Sequence, residues 1–478
     1  MNFRMIKFTL GWILLFEAAF FLVPMITAAA YLEPAFFSFL WSALVCLAIG
    51  GLLVIRKPKR RDLYAREGFI IVSMSWIVLS IFGALPFMLI GVTDSFIDAL
   101  FETASGFSTT GASIFSEVES LPKSILMWRS FSHWVGGMGV LVFVMAFLPL
   151  SGGQNMHIMR AESPGPEVAK LVPRVKNTAK ILYIIYLGLT VLQFIILLIS
   201  GMPVFDSLNT AFATAGTGGF GFKNDSFASA SAAQQIIVTV FLILFSINFN
   251  SYYLILKLKF RDAFNSEVKV FLAIVAAAIL IITFNIHESI GSFGDALRHA
   301  AFTVASIIST CGFSTENFDL WPELSRIVLV LIMFVGACAG STGGGIKVSR
   351  ILILFKSYIR EIGTLIHPKQ IKKITIDSRP VESQVVKSVS AYIVCYVMVF
   401  ATSLLIISLD NHSFETSFTA VTATINNIGP GLGDVGPISN YAFFSPLSKL
   451  VMIFNMLAGR LELFPMLILF APTTWKKY

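Results

Sequence analysis

The chain has 478 residues, 56% of them hydrophobic and 13% charged, where soluble domains carry about 25% charged residues. With 45 Phe and a mean hydropathy of +0.80, this composition excludes a soluble enzyme and leaves a polytopic membrane protein. The net charge of +8 sits in short clusters between apolar runs rather than along one polar face, which excludes nucleic acid as a partner and marks membrane topology instead.

Crossing ~30 Å of hydrocarbon takes about 20 residues at ~1.5 Å each. In chain order, spans of that kind fall near 8–30, 35–55, 67–91, 123–149, 178–201, 233–256, 267–286, 326–356, 386–409 and 444–471, ten crossings in all. The first is too long for a signal-peptide core and reads as a retained helix. Basic stretches at 56–61, 160–180, 257–261 and 347–387 alternate with these spans. The positive-inside rule places them in the cytoplasm together with Arg4, Lys7, Lys476 and Lys477, so both termini are expected inside. Loops on the other side carry Glu117, Glu119, Asp225, Glu316, Asp319 and Asp434. An acidic face concentrates cations, but acids in solvated loops carry the same signature without any such role. Cys46, Cys311, Cys338 and Cys395 lack CxxC spacing, so neither a disulfide framework nor a metal site is expected.

Four of the non-cytoplasmic connections share one pattern, an aromatic and an acid followed by a glycine loop. They run from Phe96 and Asp98 to Gly111, from Phe205 and Asp206 to Gly219, from Phe293 and Asp295 to Gly312, and from Phe414 and Glu415 to Gly429. The acid-to-glycine separations are 13, 13, 17 and 14 residues, so the third copy is longer by about one helical turn. Each copy reads as a half-helix that the acid caps at its start, with its partially negative end aimed at the glycine loop. Irregular backbone at membrane depth must be buried in protein or line a watery cavity. Four such loops around one axis would offer a ring of carbonyl oxygens able to replace the water shell of a monovalent cation. The fold class expected is therefore an all-α polytopic membrane protein: two N-terminal helices and four pseudo-symmetric repeats of helix, pore helix, filter loop and helix around one pore. The boundaries read as 1–62 for the peripheral helices and 63–175, 176–262, 263–365 and 366–478 for the four repeats.

The filter-like loops, the run Trp128-Arg129-Ser130-Phe131-Ser132-His133-Trp134-Val135-Gly136-Gly137-Met138-Gly139, the run Ala339-Gly340-Ser341-Thr342-Gly343-Gly344-Gly345-Ile346-Lys347 and Gly459-Arg460-Leu461-Glu462 together resemble the TrkH/KtrB/HKT superfamily of potassium transporters. The two extra N-terminal helices resemble the TrkH branch. The resemblance implies a channel-like potassium uptake subunit of the bacterial inner membrane. It also implies a homodimer, contact with membrane lipid, and a cytosolic TrkA-like regulatory ring that carries the nucleotide, leaving K+ as the transported ion and no cofactor in this chain.

Carried over by motif, the resemblance assigns the selectivity filter to Thr109, Thr110 and Gly111; Thr217, Gly218 and Gly219; Thr310, Cys311 and Gly312; and Asn427, Ile428 and Gly429. K+ would be held at Thr110, Gly111, Gly218, Gly219, Cys311, Gly312, Ile428 and Gly429. Four glycines, with no serine at the first position, favour K+ and Rb+ over Na+, with moderate selectivity because each loop offers one glycine. Coupling to H+ or Na+, and hence symporter activity, stays open.

The gate implied by the same resemblance is an intramembrane loop of Gly340, Ser341, Thr342, Gly343, Gly344 and Gly345, with Lys347 and Arg460 beside it. A phosphate loop is excluded there: the spacing to Lys347 is one residue too long, and Val348 stands where Ser or Thr belongs. Close glycine packing between helices is the plain alternative. Arg460 lies ~18 Å along a helix from the polar end near Pro472, a depth at which an unpaired arginine costs at least about 2.5–3.5 kcal/mol, so it needs a partner or a water-filled pore. It is expected to oppose cations below the filter, or else to form a structural ion pair. Arg129 is expected to brace the first filter or snorkel, Lys347 to line the gate or mark the membrane edge, and Glu17 has no assigned role. The basic residues Arg160, Lys170, Arg174 and 369–373 are candidate docking faces for the regulator. An intramembrane enzyme is not expected, since paired catalytic carboxylates and metal-ligand spacing are lacking, and His287-Glu288 has no second His. An alternating-access carrier would need inverted repeats, whereas these share one orientation.

Overall fold

The computed structural model describes residues 1–58, 64–139, 175–367, 373–377 and 379–476. The second half of the expected span 123–149, the docking candidates Arg160, Lys170, Arg174 and 369–372, and Lys477 lie outside the described residues. The described chain is helical apart from loops and one hairpin of two-residue strands, in which Thr375 pairs with Pro380 and Ile376 with Arg379. Six described helices are long and apolar enough to cross a membrane, or seven if one bent pair is counted as a span.

The N-terminal pair is Phe3–Phe20, continued by Leu22–Ala30, against Ala35–Ile55. These helices meet at Gly11 and Gly50, where a Cβ on either would approach the other's carbonyl oxygen to 2.9 Å. In lipid no hydrophobic force drives helices together, so this close backbone approach supplies the van der Waals contact.

Four units follow, each opened by a long helix: Ala65–Gly83 extended by Leu85–Ile90, then Val175–Ile199, Ser266–Ile290 and Ser383–Ile407. The half-helices are Phe96–Phe107, Val204–Gly216, Phe293–Ile308 and Phe414–Ile425, with 12, 13, 16 and 12 residues. At ~1.5 Å per residue none covers ~30 Å, and the extra turn of the third matches its longer acid-to-glycine spacing.

The caps differ from expectation. Ser95, Ser292 and Ser413 take the backbone N–H groups of Asp98, Asp295 and Thr416, and Pro203 opens the second half-helix. The acids sit inside the first turn, where they meet the helix dipole and are left free to pair outward. Asp98 of the first unit accepts from Lys449 of the fourth at 2.6 Å, and Glu415 of the fourth pairs with Arg326 of the third. Lys123 of the first lies 5.0 Å over the ring of Phe205, beside Asp206 of the second. Asp295 departs from this pattern, pairing with Arg298 on its own helix at 2.9 Å.

The helices that close the units are short as well: Lys123–Gly137, Ala232–Ser246, Glu323–Val335 and Pro446–Arg460. The expected uninterrupted spans 233–256 and 444–471 are therefore corrected. Ala232–Ser246 turns by 92° into Phe249–Leu256, with Asn248 capping the second piece. Pro446–Arg460 breaks at Glu462 and Leu463, both at positive φ, before Phe464–Phe470, which carries a proline in its first turn. The polar residues at the breaks, Ser246 with Asn248 and Arg460 with Glu462, are averaged away over a window of span length, which is why both escape a window reading. The break within 326–356 falls as expected, between Val335 and Val348.

Removing the cation of the Lys449–Asp98 pair strands a half-buried carboxylate at a unit boundary. Lys449→Met is expected to cost about 1–3 kcal/mol, read as a lower melting temperature of the detergent-solubilised protein, and Asp98→Asn in the same chain to recover part of it. Purely additive losses would mean that the pair does not clamp the units.

Candidate ion pathway

Each half-helix ends in the same backbone device. Thr109, Thr217, Thr310 and Asn427 adopt the left-handed conformation, with φ of 58°, 52°, 63° and 58°. The next residue folds its N–H back onto the helix: Thr110 to Ser105, Gly218 to Ala213, Cys311 to Ser306 and Ile428 to Ala423, at 2.8–2.9 Å. This is a Schellman-type ending, although glycine is the usual left-handed residue and Thr or Asn here carries some strain. The third residue is the glycine, with φ of 80°, 81°, 92° and 92° at Gly111, Gly219, Gly312 and Gly429.

The four loops meet in a closed cycle. A Cβ on Gly111 would collide with the carbonyl oxygen of Gly218, one on Gly219 with that of Cys311, one on Gly312 with that of Ile428, and one on Gly429 with that of Thr110. All twelve sequence-predicted filter residues therefore lie in this cluster, and its floor residues Gly111, Gly219, Gly312 and Gly429 open on a cavity of about 110 Å³. The geometry brings four backbone carbonyls beside four bare Cα positions, an arrangement able to coordinate a dehydrated cation.

Side chains hold the ring from behind. Asn427 Nδ2 donates to Thr110 Oγ1 at 3.0 Å, joining the fourth loop to the first, and to the Met456 carbonyl at 2.8 Å. Arg129 braces rather than snorkels: it is buried, its Nε donates to Glu102 at 2.7 Å, and it reaches Ser113 Oγ and the Gly221 carbonyl at 3.1 Å each. Its guanidinium also lies 4.2 Å over the Phe220 ring. Three residues of this shell carry no assignment from the sequence. Glu102 takes the N–H of Ile114 at 3.0 Å as well as Arg129. His133 pairs Nδ1 with the Gly106 carbonyl at 2.7 Å and accepts the Phe220 N–H at Nε2. The Tyr441 hydroxyl donates to the Gly429 carbonyl at 2.6 Å. An acid and a histidine among apolar residues were the available signals for the first two.

The expected gate residues form one loop on the half-helix C-terminal side. The Gly344 N–H donates to Thr310 Oγ1 at 2.6 Å, and Cβ atoms on Gly343 and Gly344 would strike the carbonyls of Ser309 and Asn426. The far side of the loop leans on the second unit: Thr342 binds the Phe245 carbonyl through its hydroxyl, the Cys338 N–H binds Ser246, and the Gly340 carbonyl accepts from Phe249. Ser341 Oγ turns back to Cys338, and Gly345 packs at Gly336. Glu267 takes the N–H groups of Ala339 and Ser349 at 2.6 and 3.2 Å, anchoring both ends. Lys347 is buried and donates to the Gly343 carbonyl, so it braces the loop. Arg460 donates to the Thr342 carbonyl at 2.7 Å and to the Gly136 and Gly137 carbonyls at 2.6 Å each. Glu462 pairs with Arg350.

Glu17 is buried, and among the described residues neither of its carboxyl oxygens finds a hydrogen-bond partner. Among the described residues no group of three His, Cys, Asp or Glu is placed to hold a metal ion.

Comparison with known proteins follows the same outline. Residues 34–477 match the family model described as TrkH, cation transport protein. The Trk system potassium uptake protein TrkH of Salmonella typhimurium is 38% identical over the whole of both chains. Trk system potassium uptake protein TrkG of Escherichia coli is 32% identical over 99% of each. The crystal structure of the potassium transporter TrkH from Vibrio parahaemolyticus superposes with a TM-score of 0.89 at 34% identity, covering all of both chains. The chain belongs to the TrkH family of cation transport proteins.

Proposed function

We propose that this chain is the potassium-translocating subunit of a Trk-type system in a bacterial inner membrane, with both termini cytosolic. The observation that carries the reading is the closed cycle in which each loop glycine abuts the carbonyl of the next loop. In this reading K+ and Rb+ shed water into the carbonyls of Thr110, Gly218, Cys311 and Ile428, and the four units 63–175, 176–262, 263–365 and 366–478 surround the path, with 1–62 peripheral. The names of the relatives, potassium uptake proteins of a multi-component system, support the substrate and a separate regulatory partner. A nucleotide-binding cytosolic ring and a homodimer are the form proposed for that assembly.

Loop 336–347 is the gate in this proposal. Its Gly344 touches the third and fourth filter loops, so a shift of the loop alters the path directly below the ring. Arg460, set on three carbonyls, latches the loop to the end of Lys123–Gly137 and places a positive charge on the route of a cation.

Two measurements test these assignments in liposomes holding the full-length protein. Gly111→Ser adds a Cβ against the Gly218 carbonyl and distorts the ring, so uptake should lose about tenfold in K+ over Na+ preference, a change of ~1.4 kcal/mol. Unchanged preference would remove Gly111 from the filter. Arg460→Ala frees the gate loop and removes the charge, so K+ flux without a regulator should rise severalfold. A fall in flux from protein that is folded and reconstituted would leave Arg460 a structural role alone.

A further inference from the structure

The cavity above the ring, on the side away from loop 336–347, does not carry the acidic lining expected of a cation entrance. Its floor is the four glycines, and the charged side chains among its described lining residues are Arg129 and Lys223. Arg129 is neutralised by Glu102 at 2.7 Å. Lys223 is not: among the described residues no carboxylate lies within ion-pair distance, and its Nζ donates to the neutral Ser229 Oγ at 3.0 Å. Asp206 is close enough to feel its charge but lies beyond ion-pair distance, and neither it nor Glu119 and Asp225, which accept the Asn224 and Ser229 N–H groups at 3.0 and 3.1 Å, lines the cavity. Lys223 is four residues beyond Gly219, on the segment that leaves the second loop.

From this placement we infer that Lys223 is a valence filter at the mouth, a specificity-determining residue that keeps divalent cations off the carbonyl ring. The inference rests on the ring being the potassium path. A fixed positive charge multiplies the local concentration of an ion by a Boltzmann factor whose exponent is proportional to the ion's charge. Whatever factor Lys223 imposes on a monovalent ion, it imposes squared on a divalent one. A strongly coordinating ring of carbonyls is open to occupation by any cation of suitable size, and a divalent ion bound there would leave slowly and block. A modest charge at the mouth therefore costs potassium little and excludes divalent ions much more.

The test is rubidium uptake by potassium-depleted cells expressing the full chain, with barium, a divalent cation close to potassium in size, as the blocker. In Lys223→Gln at low ionic strength, the KM for rubidium should fall about two- to fivefold and the inhibitory barium concentration about four- to twenty-five-fold, the square. Both shifts should shrink on going from about 0.01 M to about 0.15 M salt, where the Debye length falls from ~30 Å to ~8 Å, and Lys223→Arg should behave as the parent. Equal shifts for the two ions, no shift, or shifts indifferent to salt would overturn the inference. Gly111→Ser run alongside separates the two readings. If it alters ion preference while Lys223→Gln changes nothing, the valence filter alone fails. If it changes nothing, the ring is not the path.

Discussion

Four backbone carbonyls crowded around one axis inside a membrane repel one another, and every other feature of the centre answers that repulsion. Two conditions make the ring stable: no side chain occupies the space, and each carbonyl is fixed by its own helix. The first requires glycine at 111, 219, 312 and 429, where any Cβ meets a neighbouring carbonyl. The second is met by the repeated folding-back of Thr110, Gly218, Cys311 and Ile428 onto their half-helices. Because each half-helix points its partially negative end at the ring, a cation on the axis relieves the same repulsion the protein has to sustain without it.

Unsatisfied polar backbone costs several kcal/mol in hydrocarbon, so the irregular segments are tied to one another rather than to lipid. Loop 336–347 shares this economy. Its amides and carbonyls are taken up by Thr310, Phe245, Ser246, Phe249, Glu267 and Arg460, residues drawn from all units but the first. Arg460 reaches the first through Gly136 and Gly137. One guanidinium thus satisfies carbonyl groups from two irregular chain ends, and among the described residues those of Thr342, Gly136 and Gly137 help to offset its own burial.

The glycine periodicity made the four-unit plan and the ring legible, because the requirement for a bare Cα leaves the same residue in every copy. The longer third half-helix was legible for the same reason, as an extra turn between Asp295 and Gly312. The breaks at Ser246–Asn248 and Leu461–Leu463 were not, since their few polar residues are outweighed by apolar flanks and their cause is tertiary: Gly340 takes the Phe249 N–H, and Arg350 takes Glu462. From sequence the acids opening the half-helices read as caps because their dipole preference is local, whereas Lys449 and Arg326, which claim Asp98 and Glu415, come from other units. Arg460 could be recognised as anomalous from depth alone, but its three carbonyl partners could not, as backbone acceptors carry no residue signature.

The shared backbone geometry leaves each unit's side chains free to diverge, and they diverge by position around the ring. The first and second loops are held by the Arg129–Glu102 pair and His133, a charged and polar brace buried behind them. The fourth is held by neutral contacts, the Tyr441 hydroxyl on the Gly429 carbonyl and Asn427 reaching across to Thr110 of the first, and loop 336–347 touches the third loop at Thr310 and the fourth at Asn426. A buried ion pair fixes geometry strongly because breaking it exposes a lone charge, while neutral hydrogen bonds are worth only about 0.5–1.5 kcal/mol each. The fourth loop, which loop 336–347 abuts, is thus fixed by weaker contacts than the first, which adds the Arg129–Glu102 pair.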